Sequence, residues 1–508
     1  MIPSLDRRPC LSLPWRLAGL APTLLLLVLS LLVLPLALPQ AAFANSSTGS
    51  PTAASANSSK DLSHQAEATA GAPGGPPLVL AGALVYPVSQ APFEGSILIQ
   101  DGSIQAVGEA LSIPTGAQVV ELEGKHVFPG FILASSVLGL TEIGSVDGTV
   151  DNREIGSLHP DLRVESSYNA DSLLLPVSAA GGVLTTHVIP GGGLVAGTSA
   201  VMRVATRGSV GRVWEGAVVR APAGLHLRFP RTEPPAFSFF GEPPTQEEVE
   251  KDFREALESL DNLLTRARHH NKLLQDGLAT AGSAPRLEAL APVLSGELPI
   301  FLHARYHRQI QAALDWAEEA GLENLVLVAK QEVRGFAERL AKAGIPVILE
   351  GIQTLPERDS APYDAPYTVA ADLQRAGVTF AIADSGSRFH AANARNLPFH
   401  AGMTTAFGLD AADALAAITA RPAEILGLED LGTLEAGKEA TLVVADGPPL
   451  EATTRILRAW QQGWEIELED NHHHRLYREY RQRRAPSTQV PSQPAASSSS
   501  TPGPGDRP

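Results

Sequence analysis

In this 508-residue chain, imidazoles, hydroxyls and one aspartate recur where apolar runs give way to turns. Ser135 and Ser136 follow the run FILA, His187 ends GVLTTHVIP, His226 sits in GLHLRF, His303 closes IFLHA and Asp384 closes FAIADS. Serine, histidine and aspartate are the residue types of nucleophilic acyl transfer, so Ser135, Ser136, His303 and Asp384 are a set to consider. No G-x-S-x-G elbow surrounds either serine, which leaves that reading a remote one. His187 and His226 read as packed or solvated histidines. His390, Asn393, Arg395 and His400 follow the Asp384 run. His390 and Arg395 are candidate substrate-binding residues, the guanidinium suiting a carboxylate; hydrogen bonds at a helix start explain the four almost as well.

Other polar groups are less promising. Gly191, Gly192 and Gly193 lack the Lys-Ser/Thr pair and following helix of a phosphate loop and are expected to let a loop fold tightly. His269 and His270 are neighbours on a helical pattern and point in different directions, which argues against a shared metal. His472, His473 and His474 fall in a charged stretch and read as solvated.

The elements that must position these groups alternate. GVLTTHVIP, ELPIFLHA, NLVLVA, IPVILEG and VTFAIADS have strand character, while QIQAALDWAEEAG, EVRGFAERLAKAG and AADLQRAG have helical spacing and close at Gly321, Gly344 and Gly377. Such βα alternation predicts a parallel sheet, closed as an α/β, (β/α)8 TIM-type barrel over 129–428 with its chemistry at the strand ends. A longer helix opens on a capping box at Thr245 and Glu248 and should decorate the barrel. Short β-rich runs over 78–128 and again over 429–470 predict a small β-sandwich assembled from both flanks.

The ends differ in kind. Arg7, Arg8 and Arg16 precede an apolar run over 17–38 and Ala42-Phe43-Ala44, so 1–44 reads as a secretory signal peptide and the protein as secreted, periplasmic or extracellular. An uncleaved N-terminal membrane anchor is the alternative, since about 20 apolar residues can span a bilayer. Residues 45–77 read as a disordered linker, and 471–508 as a charged and then disordered tail. Cys10, the single cysteine, precedes the apolar run, so the mature chain would have neither disulfides nor thiolate chemistry. A formal charge of -16 disfavours nucleic-acid partners. A small-molecule ligand and no stable membrane span are expected, and the sequence leaves the oligomeric state open.

Residues 385–451 carry a long pattern: Ala414-Leu415, Thr419, Pro422-Ala423, Gly427, Gly432-Thr433-Leu434 and Gly437-Lys438, preceded by Asp384. This resembles the C-terminal third of imidazolonepropionase-like amidohydrolases, and Pro129-Gly130, GGVLTTHVIPGGGLVAGTSAVMRV and the His303 strand extend the resemblance over most of 79–468. The resemblance implies a metal-dependent hydrolase of carbon-nitrogen bonds, non-peptide or cyclic amides, in which divalent ions such as zinc activate water and a strand-8 aspartate accepts its proton. It places the two strand-1 ligand positions at Ser135 and Val137, which have lost their histidines. It assigns His303 and Asp384 as metal ligands and Asp384 as the catalytic base, while strand 6 offers Val328, Ala329 and Lys330 in place of a histidine. Two readings follow: a hydrolase with one divalent metal or a rebuilt site, or a catalytically inactive binding or scaffolding protein, a pseudoenzyme without metal. Asp384 also suits a cap on the turn at Ser385 and Gly386, and His303 a hydrogen-bonded histidine at the barrel rim.

Overall fold

The computed structural model describes residues 69–207, 209–210, 216–235, 241–469 and 472–484. The expected signal peptide, the expected linker up to residue 68 and the expected tail from 485 lie outside the described residues. Among those described, no helix is long and apolar enough to cross a membrane.

The chain begins with β1 (Leu78–Val85), β2 (Phe93–Gln100), β3 (Ser103–Gly108), β4 (Gln118–Glu121) and β5 (His126–Pro129). β1 pairs antiparallel with β2, and its other edge is shared, with Leu78–Ala81 on β4 and Leu84–Val85 on β5. The alternation in SILIQ turns Ile97 and Ile99 inward, as period-2 patterning requires. Folded structure starts earlier than the composition of 45–77 suggests. Ala70 and Ala72 are buried, Gly71 N–H donates to the Pro76 carbonyl, and Gly102 N–H donates to that of Gly71.

The barrel follows: β6 (Phe131–Ser136), β7 (Val183–Val188), β8 (Val195–Arg203), the short pair β9 (Ala205–Thr206) and β10 (Ser209–Val210), then β11 (Val218–Arg228), β12 (Ile300–His303), β13 (Leu325–Ala329), β14 (Val347–Glu350) and β15 (Phe380–Ala383). The barrel order is β15-β14-β13-β12-β11-β8-β7-β6. Seven strands are parallel and β8 runs against both neighbours, so it returns from β7 without a crossover helix. Between β15 and β6 the connection at 417–418 fills the seam, with Ile132 N–H donating to Ile418 O and Ile382 N–H to Ala417 O.

The helices form where their periodicity places them. Gln246–Gln275 starts on the Thr245/Glu248 capping box and buries Leu260, Leu263, Leu264 and Ala267 against the barrel, with Asp261 accepting from Trp316 Nε1 at 2.9 Å. Gly344 and Gly377 close their helices in the left-handed conformation, where a missing Cβ removes the steric penalty. On the long helix, His270 is buried beside Glu288 and His269 is exposed, so the two share nothing.

β16 (Leu442–Ala445), β17 (Ile456–Gln461) and β18 (Trp464–Glu465) return to the first sheet, β16 pairing with β5. The flanks therefore make one continuous eight-stranded sheet. It curls on itself, because Ile104 N–H donates to Lys438 O and Ser103 bridges Glu439, and it encloses Leu80, Val85, Ile97, Ile99, Leu442, Val444 and Trp460. Beyond it His472–Arg484 is helical, so the histidine triplet falls on a helix start.

Candidate active site

The parallel strands aim their C-terminal ends at a cleft of about 610 Å³, within the usual range of small-molecule sites. His303, Ala329, Glu350, Ser385 and His390 line it, with Arg153, Arg228 and Lys330. A larger cleft of about 860 Å³ lies among Leu325, Val326, Pro346 and Thr379, where strands begin. In a parallel barrel chemistry belongs to the opposite end, so the smaller cleft is the candidate.

Three histidines, on β7, β11 and β12, converge beneath it. His187 Nδ1 lies 2.8 Å from the Ala134 carbonyl and Nε2 lies 2.7 Å from Ser199 Oγ. A carbonyl only accepts, so Nδ1 carries the proton and Nε2 accepts from the serine. His226 Nδ1 meets His303 Nε2 at 2.9 Å, and the His226 ring stacks on Phe301 at 4.8 Å. Burial pushes the His187 imidazole down to about 4. Burial also takes His226 and His303 well below the ordinary range, with Arg228 and the neighbouring imidazoles adding to the effect. All three are therefore held neutral.

Asp384 is buried behind the lining residues Ser385 and His390. His390 Nδ1 lies 3.0 and 3.1 Å from its two oxygens and His400 Nε2 lies 3.3 Å from Oδ1. Burial raises its pKa, but the hydrogen bonds from His390 and His400 outweigh that and leave it below the usual carboxylate value. The same bond raises His390. Asp384 does not cap the following turn with its side chain; Ser385 Oγ accepts from Ser387 N–H there.

The strand-1 positions have found other uses. Ser135 Oγ donates to Glu350 Oε1 at 2.6 Å, and Gly386 N–H donates to the same oxygen at 3.0 Å. Ser136 Oγ accepts from Leu138 N–H, and Val137 is wholly buried in the apolar core. With its hydroxyl committed and its surface buried, Ser135 is not presented as a nucleophile.

The structure brings His303, His390 and Asp384 to one end of the barrel but puts Arg395 elsewhere. Arg395 lines a separate cleft with Phe131, Pro176, Gly181 and Ile456, beside the start of β6. Gly191 and its neighbours close a tight loop, Gly191 N–H donating to Asn152 O, with Gly192 packed on Arg153. The sequence reasoning passed over Glu350, Arg228 and Arg153. Glu350 follows its strand as His303 does, and a scan for charged residues one step past each apolar run would have found it.

A divalent ion needs donors that are free and mutually placed, and the residues present do not provide them. Both His187 nitrogens are committed, Val137 offers nothing, β13 ends in Ala329, and His303 Nε2 is paired with His226. Among the described residues, no group of three His, Cys, Asp or Glu side chains converges as a metal site.

Comparison with known proteins fits this architecture. The Amidohydrolase family model matches residues 322–466, a segment that includes Asp384 and Glu350 but neither Ser135 nor His303. Amidohydrolase tasK of Hapsidospora irregularis is 23% identical over 397 residues. That alignment covers 73% of this chain and 39% of tasK, so the chain spans about two fifths of that relative's length. The crystal structure of an amidohydrolase from Thermotoga maritima MSB8 superimposes with a TM-score of 0.66 at 26% identity, covering 77% of this chain and 99% of that one. The barrel, its curled flanking sheet and these similarities agree: the chain belongs to the amidohydrolase superfamily.

Proposed function

We propose that this chain is an exported amidohydrolase-fold protein that binds a small molecule at the barrel mouth without hydrolysing it. The observation that carries the reading is the Ser135–Glu350 hydrogen bond, 2.6 Å long, at the place where strand 1 of the superfamily would present a metal ligand. Alongside it, His187 spends both nitrogens within the barrel wall. Fold alone does not carry activity, and here the donors that would activate water are turned to packing.

The second reading, a hydrolase of non-peptide or cyclic carbon-nitrogen bonds, is favoured by Asp384. His390 and His400 keep it ionised beside the cleft, in the state required of a proton acceptor. In that reading His303 and Asp384 would hold one zinc ion, which would supply the activated water.

Metal analysis of the purified protein, combined with an amide and cyclic-amide hydrolysis panel in added zinc, separates the two. The binding reading expects substoichiometric metal and no turnover above that of a His303→Ala, Asp384→Asn double variant. Stoichiometric zinc that is lost in His303→Ala would overturn it.

Export rests on the pattern of residues 1–44, with a retained membrane anchor as the alternative. Fractionation of the host followed by N-terminal sequencing of the product tests it, and a mature terminus at Asn45 is the expected result.

A further inference from the structure

The charge lining the cleft is opposite to that of the whole chain. The formal net charge is -16, yet Arg153, Arg228, Arg231, Arg305, Lys330 and Arg388 all face the same cavity. Glu350 is the one carboxylate among the lining residues. Two of the cations are paired from outside the cavity, Arg305 with Glu357 and Arg388 with Asp147 at 2.6 Å. Among the described residues, no acid lies within ion-pair distance of Arg153, Arg231 or Lys330, and Arg228 reaches only the Pro190 carbonyl, at 3.0 Å.

Arg228 is the informative member. It leaves the end of β11 in register with His303, its Nε is buried without a partner, and burial lowers its pKa while Glu350 partly restores it. A desolvated guanidinium is costly unless a charge answers it. Glu350 answers only in part, since its Oε1 already accepts from Ser135 and from Gly386 N–H. Counting Glu350, Glu357 and Asp147 against the six cations leaves three positive charges uncompensated in an enclosure of about 610 Å³. The Lys330 ammonium reaches the turn that follows β14, for a Cβ on Gly351 would stand 3.5 Å from its Nζ.

We infer that the barrel mouth binds a small organic polyanion, a molecule carrying at least two carboxylate or phosphate groups. The inference rests on the binding reading above and gives it a ligand class. Arg228 and Lys330 take one anionic group at the floor, and Arg153 and Arg231, both exposed at the rim, take a second. Guanidinium forks match carboxylate and phosphate oxygens two at a time, and charge-assisted bonds of this kind strengthen as water is excluded.

Calorimetric titration of the purified full chain with tricarballylate and with fructose 1,6-bisphosphate tests this and separates the two anion chemistries. At least one probe is expected to bind at a single site, with affinity that falls as salt rises. Arg231→Gln and Lys330→Gln should each weaken binding about tenfold, the loss of roughly one charge-assisted contact, and Arg231→Glu should weaken it further. Arg395→Gln, in its separate cleft, should leave binding unchanged. Circular dichroism of each variant shows that the fold is kept, and the rim position of Arg231 makes its variants the safer of the set. Absence of binding by both probes, or equal binding by Arg231→Glu, would overturn the inference. Metal content and turnover are read on the same preparation: a metal-free, inactive protein that binds neither probe leaves the binding reading standing without this ligand class. A zinc-loaded, active protein overturns that reading, and the Arg231 and Lys330 variants still decide the anion site.

Discussion

Ser135 Oγ and Glu350 Oε1, on strands 215 residues apart in the chain, meet at 2.6 Å across the barrel end. This bond joins β6 to β14 near the seam that backbone pairing between β15 and β6 leaves open, so it contributes to closure as well as occupying a former ligand position. A hydrogen bond to a charged group contributes about 1.5–3 kcal/mol.

Ser135→Ala is therefore expected to lower the unfolding free energy by about 2 kcal/mol, measured by urea denaturation, while leaving anion binding in place. Glu350→Gln should act on the other property. It removes the one lining carboxylate and should tighten tricarballylate or fructose 1,6-bisphosphate by about tenfold, as expected for relief of one nearby like charge. If both variants lost stability and neither changed affinity, Glu350 would be a structural group alone.

Gly224 lies behind the histidine layer in β11. A Cβ there would overlap the Phe301 ring and stand 2.9 Å from the Pro299 carbonyl. Phe301 packs against both His187 and His226, with ring centroids 4.8 Å away in each case. Gly224→Ala should then cost about 1–3 kcal/mol through overpacking, seen as a lower urea midpoint. An unchanged midpoint would show that the layer can yield, and would weaken the view that packing fixes these imidazoles.

The apolar strands and the glycine-closed helices were legible in the sequence because each is local: periodicity and caps lie within about a dozen residues. His303 and Asp384 were legible for the same reason, as polar residues ending apolar runs. The reversed direction of β8 was not, since VAGTSAVMR is buried almost throughout and a run without alternation carries no sign of direction. Nor was the cation cluster. Its members are scattered from Arg153 to Arg388 and meet only because successive strands end at one rim. The sequence also could not show that His187 is consumed by Ala134 and Ser199, because a packed histidine and a ligand look alike before their partners are placed.

The buried imidazoles make stability depend on pH with a definite sign. His187 is lowered to about 4 and His226 and His303 lie well below their ordinary value, so between pH 6.5 and 4 the unfolded chain binds protons that the folded chain refuses. Stability must then fall as pH falls through that window, by about 1.4 kcal/mol per pH unit for each such group. For His187 alone the loss is on the order of 3 kcal/mol by pH 4. His390 has the opposite sign. Its pKa is raised by Asp384, so its contribution is complete below pH 6.5 and fades as pH rises through the folded value. Asp384, lowered in turn, contributes fully above the ordinary carboxylate value and loses that contribution as pH falls from there through its folded pKa, below the acid window. Urea midpoints measured from pH 8 to pH 4 should therefore drop steeply below pH 6.5, and His187→Gln should flatten that drop. A midpoint independent of pH over this range would mean that the three histidines are not held neutral in the barrel.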